Sequence, residues 1–346
     1  MNRATRIAFN AFLDQQAALN GEDPDTVRTG KQFTVDPSIQ QKLIDKAGES
    51  SEFLKAVNIV PVEEMQGAKL GLGVNTPIAG RTNTAGGTPR ATVDPSGLDE
   101  QGYACKQTNS DTHLTYAKLD MWAKFPDFQT RIRDAIVRQQ ARDRIMIGFN
   151  GVSAAATTDK GANPLLQDVN VGWLEHYRAY DAGSRVLDEG EVEDDLIIID
   201  PVDGDYKNIN ALIMDAVHSL MPAWSRNDTE LVAILSDDLQ HDTFFPLVNN
   251  NLEPTETMAA DLIIGAKRVG GKKAAAVPFF PNGSIFITRL DNLSIYEQSG
   301  KRRRTIVDKA ELDRVQTFES SNDAYVVEDY DFGCFIENIQ FGRTPD

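Results

Sequence analysis

The feature that most constrains this chain is residues 75–102, NTPIAGRTNTAGGTPRATVDPSGLDEQG, a stretch rich in Gly, Thr and Pro and nearly free of large apolar side chains. Leu70, Leu72 and Val74 alternate with Lys69, Gly71 and Gly73 before it, and Tyr103, Cys105, Leu114 and Tyr116 follow. This pattern predicts two strands of a hairpin joined by a very long loop. Structureless loops beyond about 12–15 residues are uncommon in compact domains. Such a loop cannot bury enough apolar surface to offset its ordering entropy, so it is expected to order only against another molecule.

The N-terminus has a similar character. Residues 3–19 carry Phe9, Phe12, Leu13 and Ala17 at helical spacing, and GEDPDTVRTGK then reads as a polar linker. A helix tethered in this way is expected to be an arm without a fixed place in a core. A second helix is predicted over 37–56, with Asp36 as N-cap and Pro37 at its first position.

The clearest helix is 126–149, where Phe128, Ile132, Ala135, Ile136, Ile145, Met146 and Phe149 supply the apolar face. Arg131, Arg133, Arg138, Arg142 and Arg144 decorate the rest. At 1.5 Å per residue it spans roughly 36 Å, enough to be the backbone of a domain. Another helix is expected at 164–179, and the acidic stretch 181–206 marks a domain boundary near residue 200. Beyond it, helices at 207–221, 237–248 and 256–267 alternate with strands at 231–235, 274–277 and 284–289. Strands at 293–297, 304–307, 324–329 and 333–341 close the chain.

Composition narrows the function classes. The 346 residues hold 52 acids and 35 bases, a net charge of −17, with 41% hydrophobic and 25% charged residues. That is ordinary globular composition, with a length that suits about two domains. The acidic balance argues against a dedicated nucleic-acid reader. No secretory signal pattern or apolar run long enough to span a bilayer is present, so no membrane partner is expected. Cys105 and Cys334 are far apart and read as buried free thiols.

No catalytic or metal motif survives inspection. His113, His176, His218 and His241 fall in different predicted elements. Gly71-Leu72-Gly73 lacks the third glycine of a dinucleotide loop, and Gly265–Lys272 is one residue too long for a P-loop, with Lys273 where Ser or Thr is needed. Asp194-Asp195, Asp237-Asp238 and Glu63-Glu64 read as solvated acids. The run Lys301-Arg302-Arg303-Arg304 is the one basic cluster, either a solvated hairpin tip or a contact for a nucleic acid or an acidic neighbour. An enzyme with a cleft beside 200–290 and a monomeric binding module are the competing readings. The first lacks support in the residues, and the second is opposed by the costly arm and loop.

Arm, long loop, long helix and inserted α/β unit, in that order, accompany a set of collinear strings. These include TRIAFNAFL, KQFTVDPS at 31–38, SSEFLKAVNIVPVEEMQGAKLGLGV at 50–74, and LDMWAKFPDFQTRIRDAIVRQQARDRIMIGFNG at 119–151. NPLLQDVNVGWLEHYR, MAADLIIGAKRVGG, DNLSIYEQSGKRRR and LDRVQTFESSNDAYVVEDYDFGC continue the series. On these residues the chain resembles phage major capsid proteins of the HK-97 fold, and more closely those of temperate contractile-tailed phages of the peduovirus group.

The resemblance implies an α+β fold. It divides the chain into a removable scaffold-like arm (1–33), an N-arm (34–65), an E-loop hairpin (66–116), a peripheral domain (117–199) with spine helix 126–149, an axial domain (200–290) and peripheral return strands (291–346). It further implies self-assembly into hexamers and pentamers of an icosahedral head around double-stranded DNA, with no catalytic residue, metal or cofactor. An internal scaffold-protease and a portal protein are implied partners, with assembly in the host bacterial cytoplasm and residence in the virion. Processing would fall near Phe33-Thr34, and Arg81, Arg90, Asp94, Lys301, Arg302, Arg303 and Arg304 become inter-subunit contact candidates.

Overall fold

The computed structural model describes residues 1–49, 51–68, 102–122, 128–241, 243 and 268–342, with 72–73, 79, 81–84, 90, 92 and 97–98 between the hairpin strands. The expected helix 256–267 lies outside them, as does most of 242–248, beyond the helical residues 237–241 and 243.

One long strand, Arg314–Val327, organises the first sheet. Along one edge it pairs antiparallel with Arg303–Lys309 and then Leu293–Gln298, and along the other with Lys106–Asn109 and Thr112–Thr115. Asn58–Val62 joins in parallel beyond Leu293–Gln298, and Phe33–Thr34 pairs antiparallel beyond Arg303–Lys309. Glu297 pairs with Asp323 and Arg303 with Ser320, so residues 298–302 stand opposite only Ser321 and Asn322. The segment 298–302 is therefore a bulge in a run that follows the long strand. This corrects the hairpin tip expected there, because an inserted stretch facing a continuous strand turns part of itself inward.

The second sheet orders Arg268–Val269, Lys272–Ala276, Val232–Leu235, Ile285–Thr288, Gly333–Ile336 and Val186–Leu187. Period-two alternation divides its residues between two cores. Ile285, Ile287, Cys334 and Ile336 meet the helix Ile209–Leu220, whereas Phe286 and Phe335 meet Trp173, Tyr177 and Phe149. Leu293, Ile295, Tyr325 and Val327 of the first sheet reach the same aromatic core. The expected 200–290 unit therefore borrows strands from outside its bounds. Of the strands in the return segment 291–346, Leu293–Gln298, Arg303–Lys309 and Arg314–Val327 lie in the first sheet, whereas Gly333–Ile336 pairs with Ile285–Thr288 and Ile339–Phe341 with Ile197–Ile199.

The long helix runs Phe128–Asn150, about 34 Å at its 23 residues. Its buried side chains are Val137, Ala141, Arg144, Ile145, Ile147 and Phe149, which places Arg144 inside and corrects its assignment to the outer face. The helix expected at 164–179 begins only at Trp173. Leu166 has φ of 59°, a left-handed conformation that no helix accommodates. The helix expected over 37–56 is two, Pro37–Glu49 and Glu52–Ala56.

The N-terminal helix Arg3–Asn20 is capped by the Asn2 side chain and stopped by Gly21 at φ 67°. It folds back over a short helix, Pro24–Arg28, and Leu13, Ala17, Val27 and Phe33 pack on Ile306 and Val315. The arm thus has a fixed place and a small core of its own, contrary to the expectation. The polar linker conceals one apolar residue, Val27, and its Arg28 reaches back to Asp14 at 2.6 Å. The hairpin pairs Gln66–Ala68 with Gly102–Ala104 and Leu72–Gly73 with Gly97–Leu98, the latter inside the stretch read as loop, while Leu114, read as returning strand, pairs with the long strand and Tyr116 begins a helix, Tyr116–Trp122.

Gly148 tests the aromatic core. A Cβ there would lie 2.2 Å from the Trp173 ring, which the surrounding core holds in place. Gly148→Ala is expected to destabilise by about 1–3 kcal/mol despite alanine's better helix propensity. Thermal denaturation checks this, and a raised Tm would contradict the packing.

Candidate assembly surface and its buried ion network

Beneath the bulge, three arginines, from the long helix, the bulge and the strand after it, meet three carboxylates of the first sheet. Glu297 is fully buried; it accepts from Arg144 Nη2 at 2.6 Å, Gln40 Nε2 at 2.8 Å and Arg302 Nη1 at 3.4 Å. Glu319 accepts from Arg302 Nε at 2.7 Å and Arg304 Nη2 at 2.7 Å, with a further close contact from Arg302 Nη2. Arg302 also donates to Gln140 Oε1 at 3.1 Å, and Arg304 to Gln16 Oε1 at 3.2 Å. Asp323 lies 3.6 Å from Arg144 and accepts from Ser321 Oγ at 2.8 Å.

The network joins the arm (Gln16), the following helix (Gln40), the long helix (Gln140, Arg144) and the sheet. Asp111, next to the first-sheet strand Thr112–Thr115, adds a carboxylate that accepts from the Glu319 amide at 3.2 Å. A cavity of about 320 Å³ opens beside it, lined by Asp143, Arg144, Lys160, Arg302, Glu319 and Asp323 among others. Burial alone would raise the Glu319 carboxyl, but Arg304 and Arg302 outweigh it and hold the group at about 2. Burial also opposes ionisation of Glu297, and Arg144 and Arg302 again bring it below the usual range. Asp323 goes the other way, because burial exceeds what Arg144 returns.

The candidate contact residues separate into two groups. Arg302 is 5% exposed and Arg304 half-buried, both engaged within the subunit. Their assignment to a solvated basic tip is therefore corrected: Glu319 draws both guanidinium groups inward. Lys301 and Arg303 remain exposed, as do Arg81 and Arg90, while Asp94 lies outside the described residues. Phe33 is 3% exposed and its neighbour Thr34 is exposed.

The motifs set aside in the sequence have structural roles. Gly270 and Gly271, at φ 58° and 78°, form the turn between Arg268–Val269 and Lys272–Ala276. Asp238 accepts from the Gly283 amide at 2.9 Å. Burial raises the Cys105 thiol to about 11 and that of Cys334 to about 12, which keeps both unreactive. Among the described residues no group of three or more His, Cys, Asp or Glu could hold a metal ion. Sequence reasoning missed the network itself. Its signal was present: Arg144 sits in phase with Ala141 and Ile145, and Glu297 and Asp323 interrupt strand-like runs.

The arrangement fastens arm, helices and first sheet together. The phage major capsid protein P2 family matches residues 8–339. The chain belongs to that family. It is 46% identical to the capsid protein of Escherichia phage P2 over 100% of this chain and 98% of that protein. It is 41% identical to the major capsid protein of Serratia phage KSP20, covering 100% and 99%. A chain of the satellite phage P4 procapsid, a structure that includes the size determination (Sid) protein, aligns at TM-score 0.80 and 44% identity, covering 99% of each chain. The chain is thus a phage major capsid protein with the α+β, HK-97-like fold expected from its sequence, a component of the virion shell rather than an enzyme.

The network gives this capsid protein a defined response to single substitutions and to acid. Arg302→Ala leaves Glu319 and Glu297 short of a buried partner and is expected to cost about 3–5 kcal/mol in denaturant unfolding. Glu319, lowered from an ordinary 4.5 to about 2, contributes stability that is full above 4.5 and is lost as pH falls toward 2. Glu319→Gln should flatten that part of the stability–pH curve, and an unchanged curve would show that another group controls it.

Proposed function

We propose that this subunit builds hexamers and pentamers of an icosahedral head that encloses double-stranded DNA. The observation that carries the proposal is the end-to-end correspondence with a procapsid chain, 99% of both chains at TM-score 0.80. In this reading residues 1–33 are a scaffold-like arm removed near Phe33-Thr34 by an internal scaffold-protease. The hairpin 66–116 extends its loop over a neighbouring copy, with Arg81, Arg90 and Asp94 as contacts, and Lys301 and Arg303 offer two further exposed cations. The unit 200–290 surrounds the capsomer centre, a portal protein occupies one vertex, and assembly takes place in the host cytoplasm.

The net charge of −17 supports loose rather than tight contact with packaged DNA, because strong phosphate binding needs clustered uncompensated cations. Two of the four cations in the one basic run are already neutralised by Glu319 and Glu297.

Negative-stain electron microscopy of the protein co-expressed with its scaffold-protease is expected to show closed shells, capsomer rings or sheets. Uniform particles of one to four subunits would count against the proposal. Mass spectrometry of mature particles should find a chain lacking residues 1–33, and an intact Met1 terminus would reject processing. Deletion of 75–102 should leave folded subunits that fail to form stable shells.

A further inference from the structure

We infer that the docked arm shields its own processing bond, so that Phe33-Thr34 becomes cleavable only when residues 1–34 lift from the first sheet. The biological role of this shield rests on the processing reading above; its physical content does not.

Three observations carry it. Phe33 and Thr34 are in the sheet, paired with Arg304 and Arg303, and the Val35 amide continues the ladder to the Arg302 carbonyl at 2.8 Å. The Phe33 side chain is enclosed by the core of Leu13, Ala17, Val27, Ile306 and Val315. Helices bound the extended segment on both sides, Pro24–Arg28 before it and Pro37–Glu49 after it. A protease takes several consecutive residues in extended form, by strand-like main-chain pairing with side chains seated in pockets. Here the main chain on one side is already paired, and the side chain preceding the bond is inside the subunit.

The arm is held over its whole length. The Met1 amine lies 3.8 Å from Asp120, Arg6 pairs with Asp308 at 2.6 Å, and Gln16 accepts from Arg304. Asn20 Oδ1 accepts from the Asp36 amide at 3.1 Å, which fastens the helix end to the chain just past the bond. Exposure of the bond therefore requires the small core and these ties to open together, as a local unfolding unit. Lifting also uncovers the outer edge of Arg303–Lys309 and the apolar floor of Ile306, Val315, Tyr116 and Leu119.

Limited proteolysis with chymotrypsin, which cuts after aromatic residues and needs no phage protease, tests the shield. A synthetic peptide of residues 27–40 supplies the unprotected rate. The intact chain should be cut at Phe33-Thr34 at least about tenfold more slowly than the peptide, because cutting follows the population of the open form. Leu13→Asp should remove most of that protection. Asp308→Arg, which places two like charges together at the arm's edge, should weaken it, and the added Arg6→Glu should restore it. Equal rates for chain and peptide, or variants that leave the rate unchanged, would overturn the inference. Protection in this assay together with an intact Met1 in infectious particles would reject processing and leave the shield standing.

Discussion

The buried ion pairs around Glu297 and Glu319 are the constraint on which the rest of the subunit depends. Two carboxylates removed from water are tolerable only if cations reach them with good geometry. Those cations come from separate parts of the chain: Arg144 from the long helix and Arg302 and Arg304 from the bulge and the strand that follows it. Helix, bulge and sheet must therefore be in register at once. An apolar core tolerates small shifts among hydrophobic side chains, whereas a displaced Arg302 would strand two charges. Three arginines face these carboxylates, so most of the net −17 belongs to the rest of the molecule.

The arm extends this logic to the surface. Its attachment combines a small apolar core, a short strand and peripheral ion pairs such as Arg6–Asp308, in which both side chains are partly exposed. Exposed pairs are individually weak and screened by salt. The long helix, by contrast, is seated by Trp173 and Phe149 with ring centroids 5.3 Å apart and by Arg144 on Glu297. The molecule thus has a firmly held body and an N-terminal segment fastened by contacts of a kind that solution conditions can alter.

Much of this was legible in the sequence where a single period governs a segment. The 3.6-residue repeat placed the long helix within two residues, and alternation about Leu72 and Tyr103 located the hairpin base. Legibility failed where contacts distant in sequence decide. Leu165, Leu166, Val169 and Trp173 have helical spacing, yet 152–171 is held open by bonds such as Val152 N to the Gln167 carbonyl and by the left-handed Leu166. The inward turn of Arg144 and Arg302 depends on carboxylates more than a hundred residues away or across a bulge. The pairing of Gly333–Ile336 in the second sheet and of Ile339–Phe341 with Ile197–Ile199 likewise depends on partners that no local pattern names. The arm's fixed place could not be read because its floor, Ile306 and Val315, lies near the other end of the chain.

The long strand Arg314–Val327 has a mechanical consequence. Neighbours flank it on both edges over much of its length, all antiparallel. A pull along its axis loads those ladder bonds in shear, so many must yield together, whereas a pull across them would open one rung at a time. A shell subunit under tension resists best along the direction this strand runs.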